Sequence, residues 1–205
     1  TPGEGVRRRS CLTMPTTSAR FVTFEGGEGA GKTTQIKRLA ARFKAAGHRV
    51  LQTREPGGST GAEAIRTLVI SGDPTKWDAV TEALLMLAAR RDHLRRTIEP
   101  ALNDGQWVLC DRFHDSTVAY QGYAGGVPLA DLNDLYRISI GNLKPALTLV
   151  LDLPVDVGLE RARARQEARP SPFVEDRFER MGSAFHERLR AAFLAIAKAE
   201  PKRSA

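Results

Sequence analysis

Hydrophobic positions change their period along this chain, and the changes separate strands from helices. Phe21-Val22-Thr23-Phe24 is a short β-branched and aromatic run that stops at Glu25-Gly26-Gly27, the pattern of a strand running into a turn. Ile36, Leu39, Ala40 and Phe43 then recur three or four residues apart, which predicts a helix from Gly31 closed by Gly47. Residues 49–53 predict a second strand, broken by Pro56-Gly57-Gly58, and 61–70 a helix. Residues 77–102 carry Ala83, Leu84, Leu87, Ala88 and Leu94 at helical spacing, with Pro100 disturbing the last turn. A third strand is expected at 106–110 and short helices at 116–120 and 129–140. The almost wholly apolar 147–153 predicts a strand buried on both faces. Helices over 155–165 and 175–198 flank a Pro-containing loop at 166–174, and residues 1–19 read as a disordered tail. Strands alternating with helices predict an α/β layered fold with a largely parallel sheet, in one domain over residues 20–205.

Composition narrows the class. With 205 residues, 41% of them hydrophobic and 27% charged, the chain is long enough to bury a core without disulfides or a structural metal. Two cysteines, Cys11 and Cys110, make no disulfide framework and suit a reducing compartment. No apolar run approaches the ~18 residues of a membrane span, and Arg7-Arg8-Arg9 is not followed by an apolar signal segment. The expectation is a cytoplasmic protein with no membrane partner. Met14 offers an internal start, so residues 1–13 read as an extension or an added segment. The net charge of +7 is partly in the tail, and aromatics are only 6% and do not alternate with basic residues. That balance suits a pocket for small anions and argues against nucleic acid.

The strongest chemical signal is Gly26-Gly27-Glu28-Gly29-Ala30-Gly31-Lys32-Thr33, which satisfies G-x-x-x-x-G-K-[ST] between a predicted strand and a predicted helix. Glycines let several backbone N–H groups converge on one anion, and the following helix start adds positive potential. Lys32 can reach the outer phosphates of a nucleoside triphosphate, and the Thr33 hydroxyl can ligate Mg²⁺. Asp111 directly follows the third strand, at the sheet edge where ligands collect, and is the expected second metal ligand. Arg112 beside it can grip a phosphate. Arg161 and Arg165 are i,i+4 neighbours at the root of the Pro-containing loop, with Arg163 pointing elsewhere. Arginines there suit a lid over residues 161–178 that closes on phosphates.

Taken together, these segments resemble the bacterial thymidylate kinases over about residues 20–200. The matching positions are 25–34, Thr53-Arg54-Glu55-Pro56-Gly57-Gly58, Ala88-Ala89-Arg90, Asp111-Arg112-Phe113 with Ser116-Thr117, Tyr120-Gln121-Gly122, Lys144-Pro145, Leu151-Asp152, and Arg161–Arg165 with Asp176-Arg177-Phe178-Glu179. The resemblance implies Mg²⁺-dependent transfer of the ATP γ-phosphoryl to dTMP by a homodimer with a P-loop kinase core. The ATP site would comprise Gly26, Gly27, Glu28, Gly29, Ala30, Gly31, Lys32, Thr33 and Thr34, with Thr33 and Asp111 on the metal. Lys32, Arg112, Arg165 and Arg161 would be the catalytic cations, Arg165 foremost. On the dTMP side Glu28 would face the sugar near its 3′-hydroxyl, and Arg112 would hold the acceptor phosphate. Arg90, one of four arginines with Arg91, Arg95 and Arg96, would bond the thymine edge. Thr117 and Gln121 would lie along base and sugar, Tyr120 would fill the 2′ position, and Pro56 and Ser116 would also belong to the dTMP site. Phe178 and Glu179 would close the sugar side. Met86 stands where the family usually stacks a phenylalanine on thymine. The alternatives are another small P-loop kinase, or a P-loop ATPase switch that binds nucleic acid.

The resemblance also implies a sheet order of 2-3-1-4. It expects one more apolar strand and a terminal helix where this chain stops, after Glu200-Pro201-Lys202-Arg203-Ser204-Ala205. The expectation is therefore an absent fifth strand, an unprotected apolar edge on the fourth, and a chain short by about 20–30 residues.

Overall fold

The computed structural model of the protein describes residues 17–168 and 177–205. In chain order its elements are β1 (Thr17–Glu25), α1 (Lys32–Ala45), β2 (Val50–Arg54), α2 (Thr60–Ile70), α3 (Ala79–His93), α4 (Glu99–Asn103), β3 (Trp107–Asp111), α5 (His114–Thr117), α6 (Leu129–Ile140), β4 (Lys144–Val150), α7 (Val155–Ala168) and α8 (Ser183–Ala199). The strands are parallel in the order β2-β3-β1-β4, as the resemblance implied. Alternation along β1 and β3 explains why both faces are covered. Phe21, Val108 and Cys110 meet Leu94 and Ile98 of the turn between α3 and α4, with Ala101 of α4 and Ile140 of α6. Val22, Phe24 and Leu109 meet Ile36 and Ala40 of α1 on the other face. The result is a three-layer α/β fold whose central strands end together at Glu25 and Asp111.

Several boundaries differ from the sequence expectation, each for a local reason. β1 reaches back to Thr17, where Thr17 and Ser18 pair with Lys144 and Pro145, so the last residues of the expected tail are strand; residues 1–16 lie outside the described residues. β4 accordingly starts at Lys144 and ends at Val150, because Asp152 leaves the sheet to meet Arg190 of α8 in a two-pronged ion pair at 2.7 and 2.8 Å. It is not buried on both faces: Leu147 is 36% exposed. The long helix over 77–102 is two helices joined by a wide π-helical turn, Leu94–Ile98, immediately before Pro100. Proline lacks the N–H that a regular helix would need there, and the wider turn absorbs the mismatch. A second π-helical turn, Val118–Ala124, extends α5. α7 runs on to Ala168 in place of the expected loop, whose remainder lies outside the described residues, as does residue 175, the expected start of the last helix. α8 begins after Gly182.

The outer edge of β4 is not bare. Arg203–Ala205 run parallel to it: Thr148 N donates to Arg203 O (2.8 Å), Ala205 N to Thr148 O (3.0 Å) and Val150 N to Ala205 O (2.9 Å). Arg203 is pinned there by Asp115 at 2.9 and 3.1 Å and by the Thr148 hydroxyl at 2.6 Å. The charges that look like a polar end in sequence thus hold a short fifth-position segment against the strand, which corrects the expectation of an unprotected edge.

Candidate active site

The phosphate loop leaves β1 at Glu25 and enters α1 through Gly31, which takes φ 90° and offers no side chain to cap the helix. The first amides of α1 are therefore left for a ligand. Lys32 folds back over the loop, donating to Gly26 O at 3.0 Å and Gly27 O at 2.8 Å. Burial, with Arg112 nearby, pushes its ammonium down to about 8, against the pull of Glu28 and Asp111. Thr33 Oγ1 lies 2.8 Å from Asp111 Oδ2, so a hydroxyl and a carboxylate meet at the strand ends. These are hard oxygen donors, the set that suits Mg²⁺. Gly29, Ala30, Gly31, Lys32 and Thr33 line one cleft with Arg54, Arg66, Asp111, Arg112 and Arg165. Gly26 and Gly27 line a small depression against α7 and α8, and Thr34 is exposed and faces neither.

On its far side the loop rests on α7 with no side chains between. A Cβ on Gly29 would stand 2.0 Å from Gly158 O, and one on Gly158 would stand 2.5 Å from Glu28 O.

Arg112 adopts φ 69°, a strained left-handed conformation for a residue with a side chain. Glu25 fixes the chain just beyond it: its wholly buried carboxylate accepts from Phe113 N (2.8 Å) and Ser116 Oγ (2.5 Å). Burial and the neighbouring Asp115 push the Glu25 carboxyl up to about 7, against these bonds and Arg112. The turn aims the Arg112 guanidinium at Gly26 O (3.0 Å), Ser116 Oγ (3.3 Å) and Glu28 Oε1 (2.8 Å). Burial alone would raise the Glu28 carboxyl, but Arg112, Lys32 and the Tyr120 hydroxyl at 3.1 Å hold it down at about 2.

The second cleft contains every acceptor-side residue implied by the resemblance. Glu28, Met86, Arg90 and Arg112 line it with Ser116, Thr117, Tyr120 and Gln121, and Pro56, Phe178 and Glu179 complete the wall. Arg90, 3% exposed, is the one of the four neighbouring arginines at this cleft. It donates from Nε to Glu55 (2.6 Å), from one terminal nitrogen to Thr117 Oγ1 (3.0 Å) and from the other to Phe113 O (2.8 Å). Glu55 in turn takes His93 Nδ1 at 3.0 Å, and His93 Nε2 meets Thr53 Oγ1 at 2.6 Å. Tyr120 packs edge-on to Phe178, their centroids 5.3 Å apart. Arg165 lines both clefts and donates to Glu179 at 3.3 Å, whereas Arg161 is exposed and lines neither.

Sequence reasoning missed several of these residues. Arg66 lines both clefts and donates to Pro56 O at 2.8 Å. Its signal was available: it sits four residues after buried Ala62 and four before buried Ile70, a core-facing position on α2. Glu55 and His93 carry no such signal, because the partners that give them a place lie 35 to 40 residues away in sequence.

The profile of the thymidylate kinase family matches residues 24–204. The thymidylate kinase of Caulobacter vibrioides is 58% identical over 187 residues, 91% of this chain and 86% of that protein. That of a Bradyrhizobium strain, BTAi1, is 59% identical over 184 residues, 90% and 80% of the two chains. The crystal structure of the Ehrlichia chaffeensis thymidylate kinase superposes with a TM-score of 0.68 at 32% identity, covering 93% of this chain and 86% of that one. A phosphate loop, an arginine-lined cleft beside it and likeness over nine-tenths of the sequence agree: the chain belongs to the thymidylate kinase family.

Proposed function

We propose that this chain transfers the γ-phosphoryl group of ATP to dTMP, giving dTDP and ADP. One observation carries the reading beyond family membership. The phosphate-loop cleft and the second cleft share a wall made by Glu28, Glu55, Arg66, Arg112 and Arg165, so three cations converge where two phosphate-bearing ligands would meet. The acceptor atom is already an anionic phosphate oxygen, so the site needs alignment and charge neutralisation more than a strong base. Lys32 and the open amides of α1 hold the outer phosphates of ATP. Thr33 and Asp111 are the residues that would hold Mg²⁺, which would supply charge neutralisation to the phosphates. Arg112, fixed through Glu25 and Ser116, holds the acceptor phosphate. Arg165 reaches the transferring group from α7, while Glu28 and Tyr120 bound the sugar and Arg90, Thr117 and Met86 the base.

Exposed Leu68 of α2, Val80 and Leu84 of α3 and Ile138 of α6 lie on α3 and two helices packed against it, and these uncovered apolar side chains support a homodimer. The free, buried Cys110 thiol suits the cytoplasm. No helix among the described residues is long and apolar enough to cross a membrane. No observation favours a nucleic-acid-binding switch. The test is ADP formation from ATP with dTMP, dUMP, dCMP, AMP or no acceptor. Formation that depends on dTMP and a divalent cation is expected; equal ADP formation without acceptor overturns the reading.

A further inference from the structure

Arg177 is the largest fully buried side chain among the described residues, yet no step above uses it. It follows the undescribed residues 169–176 and is riveted to the end of α2. Its backbone N donates to Ile70 O (3.2 Å), and its guanidinium to Val69 O (3.1 Å), Asp73 O (3.1 Å) and Pro74 O (2.9 Å). The remaining partner is the buried Glu82 carboxylate on α3, through Oε2. The other oxygen of Glu82, Oε1, takes Gln121 Nε2 at 2.5 Å. A carboxylate only accepts, so Gln121 must turn its NH₂ toward Glu82 and its carbonyl oxygen away. That oxygen is buried and has no partner among the described residues. A buried acceptor without a donor is costly, and Gln121 lines the acceptor cleft.

We propose that Arg177 and Glu82 are a positioning pair that fixes the Gln121 amide with its oxygen as the open acceptor, so that the cleft selects a pyrimidine carrying a ring N–H at N3 over one whose N3 is bare. This rests on the reading above, which puts the acceptor base in this cleft. Thymine and uracil supply the donor; cytosine presents a lone pair there and would leave two acceptors facing each other. The pair also explains how the turn after residue 176 is held. With Arg177 locked, Phe178 and Glu179 are delivered to the cleft, Phe178 against Tyr120 and Glu179 to Arg165.

The deciding variant is Glu82→Gln. The new amide can still accept from Arg177 with its oxygen, and it then offers NH₂ to Gln121. Gln121 must invert, exposing a donor in place of an acceptor. The KM for dTMP should rise about two- to tenfold, the factor one hydrogen bond allows, with the KM for ATP unchanged. The ratio of kcat/KM for dCMP to that for dTMP should also rise, which a merely structural role would not produce. An unchanged dTMP KM and an unchanged ratio in the folded variant overturn the proposal. Should Glu82→Gln fail to fold, Arg177→Met/Glu82→Met replaces the buried pair with apolar residues, a change such pairs often tolerate. Wild-type kinetics in that double variant likewise overturn it. A substrate-free readout separates the two readings. Slow exchange of the Gln121 side-chain NH₂ protons by NMR, lost in Glu82→Gln, is expected of the pairing; fast exchange in the wild type refutes it. Slow exchange together with no turnover of dTMP keeps the pairing and refutes the acceptor assignment.

Discussion

Replacing Glu28 by glutamine removes one titrating charge while keeping the shape of the side chain. In the wild type the carboxylate is 20% exposed and sits 2.8 Å from Arg112 and 3.1 Å from the Tyr120 hydroxyl. Burial opposes its ionisation, but Arg112 and Lys32 outweigh burial and hold it at about 2 in place of 4.5. The folded state therefore favours the ionised form. Its stabilisation is fully present above the unfolded value of 4.5 and is lost as pH falls through 2. At about 1.4 kcal/mol for each tenfold change in proton affinity, the charge contributes about 3 kcal/mol near pH 7 and about 1 kcal/mol at pH 3. Glutamine does not titrate, and every other acidic group is common to both proteins. The gap in Tm between wild type and Glu28→Gln should thus narrow by about 4–8 °C from pH 6.5 to pH 3 for a chain of this length. Differential scanning calorimetry of the two proteins across that range measures it. A gap that stays constant with pH would mean that Arg112 and Lys32 do not hold the ionised carboxylate, and the electrostatic account of the shared wall would fall.

Lys32→Met should keep the fold, since it removes a buried charge, and lower kcat by at least about 10²-fold, as losing an oriented electrostatic donor does; circular dichroism and turnover together check it. Arg165→Ala should lower kcat far more than it weakens dTMP binding, while Arg161→Ala leaves both near wild type; comparable losses in the two variants would refute the placement of Arg165 alone at the clefts. Met86→Phe should lower the KM for dTMP about two- to tenfold, the range an aromatic pair of about 0.5–1.5 kcal/mol gives; an unchanged or raised KM would show that the new ring does not reach the base.

The phosphate loop and the four strands were legible because each is written in a local code, whereas the acceptor-side wall was legible only through the resemblance to the family. Glycine spacing marks the loop, apolar runs mark the strands, and the Asp111-Arg112 pair follows a strand directly. What stayed hidden was tertiary. Residues 144 and 145 read as a lead-in because a lysine and a proline look like loop, yet they pair at the end of β4 with the backbone of Thr17 and Ser18. Arg203 reads as part of a solvated tail, but its partners Asp115 and Thr148 lie far away in sequence. The buried charges Glu25, Glu55, Glu82 and Arg177 were illegible for the same reason. A charged residue in a helical or strand pattern reads as exposed until its partner is known.

The bare backbone contact between Gly29 and Gly158 has a mechanical consequence. Most packed elements meet through side chains, which can rotate and take up small displacements. Here the donor loop and the helix that carries Arg165 touch main chain to main chain, with no compliant layer between them. Any tilt of α7 would therefore be passed to the loop backbone directly, as between two faces of a bearing, and a methyl group at either glycine would force the two main chains apart.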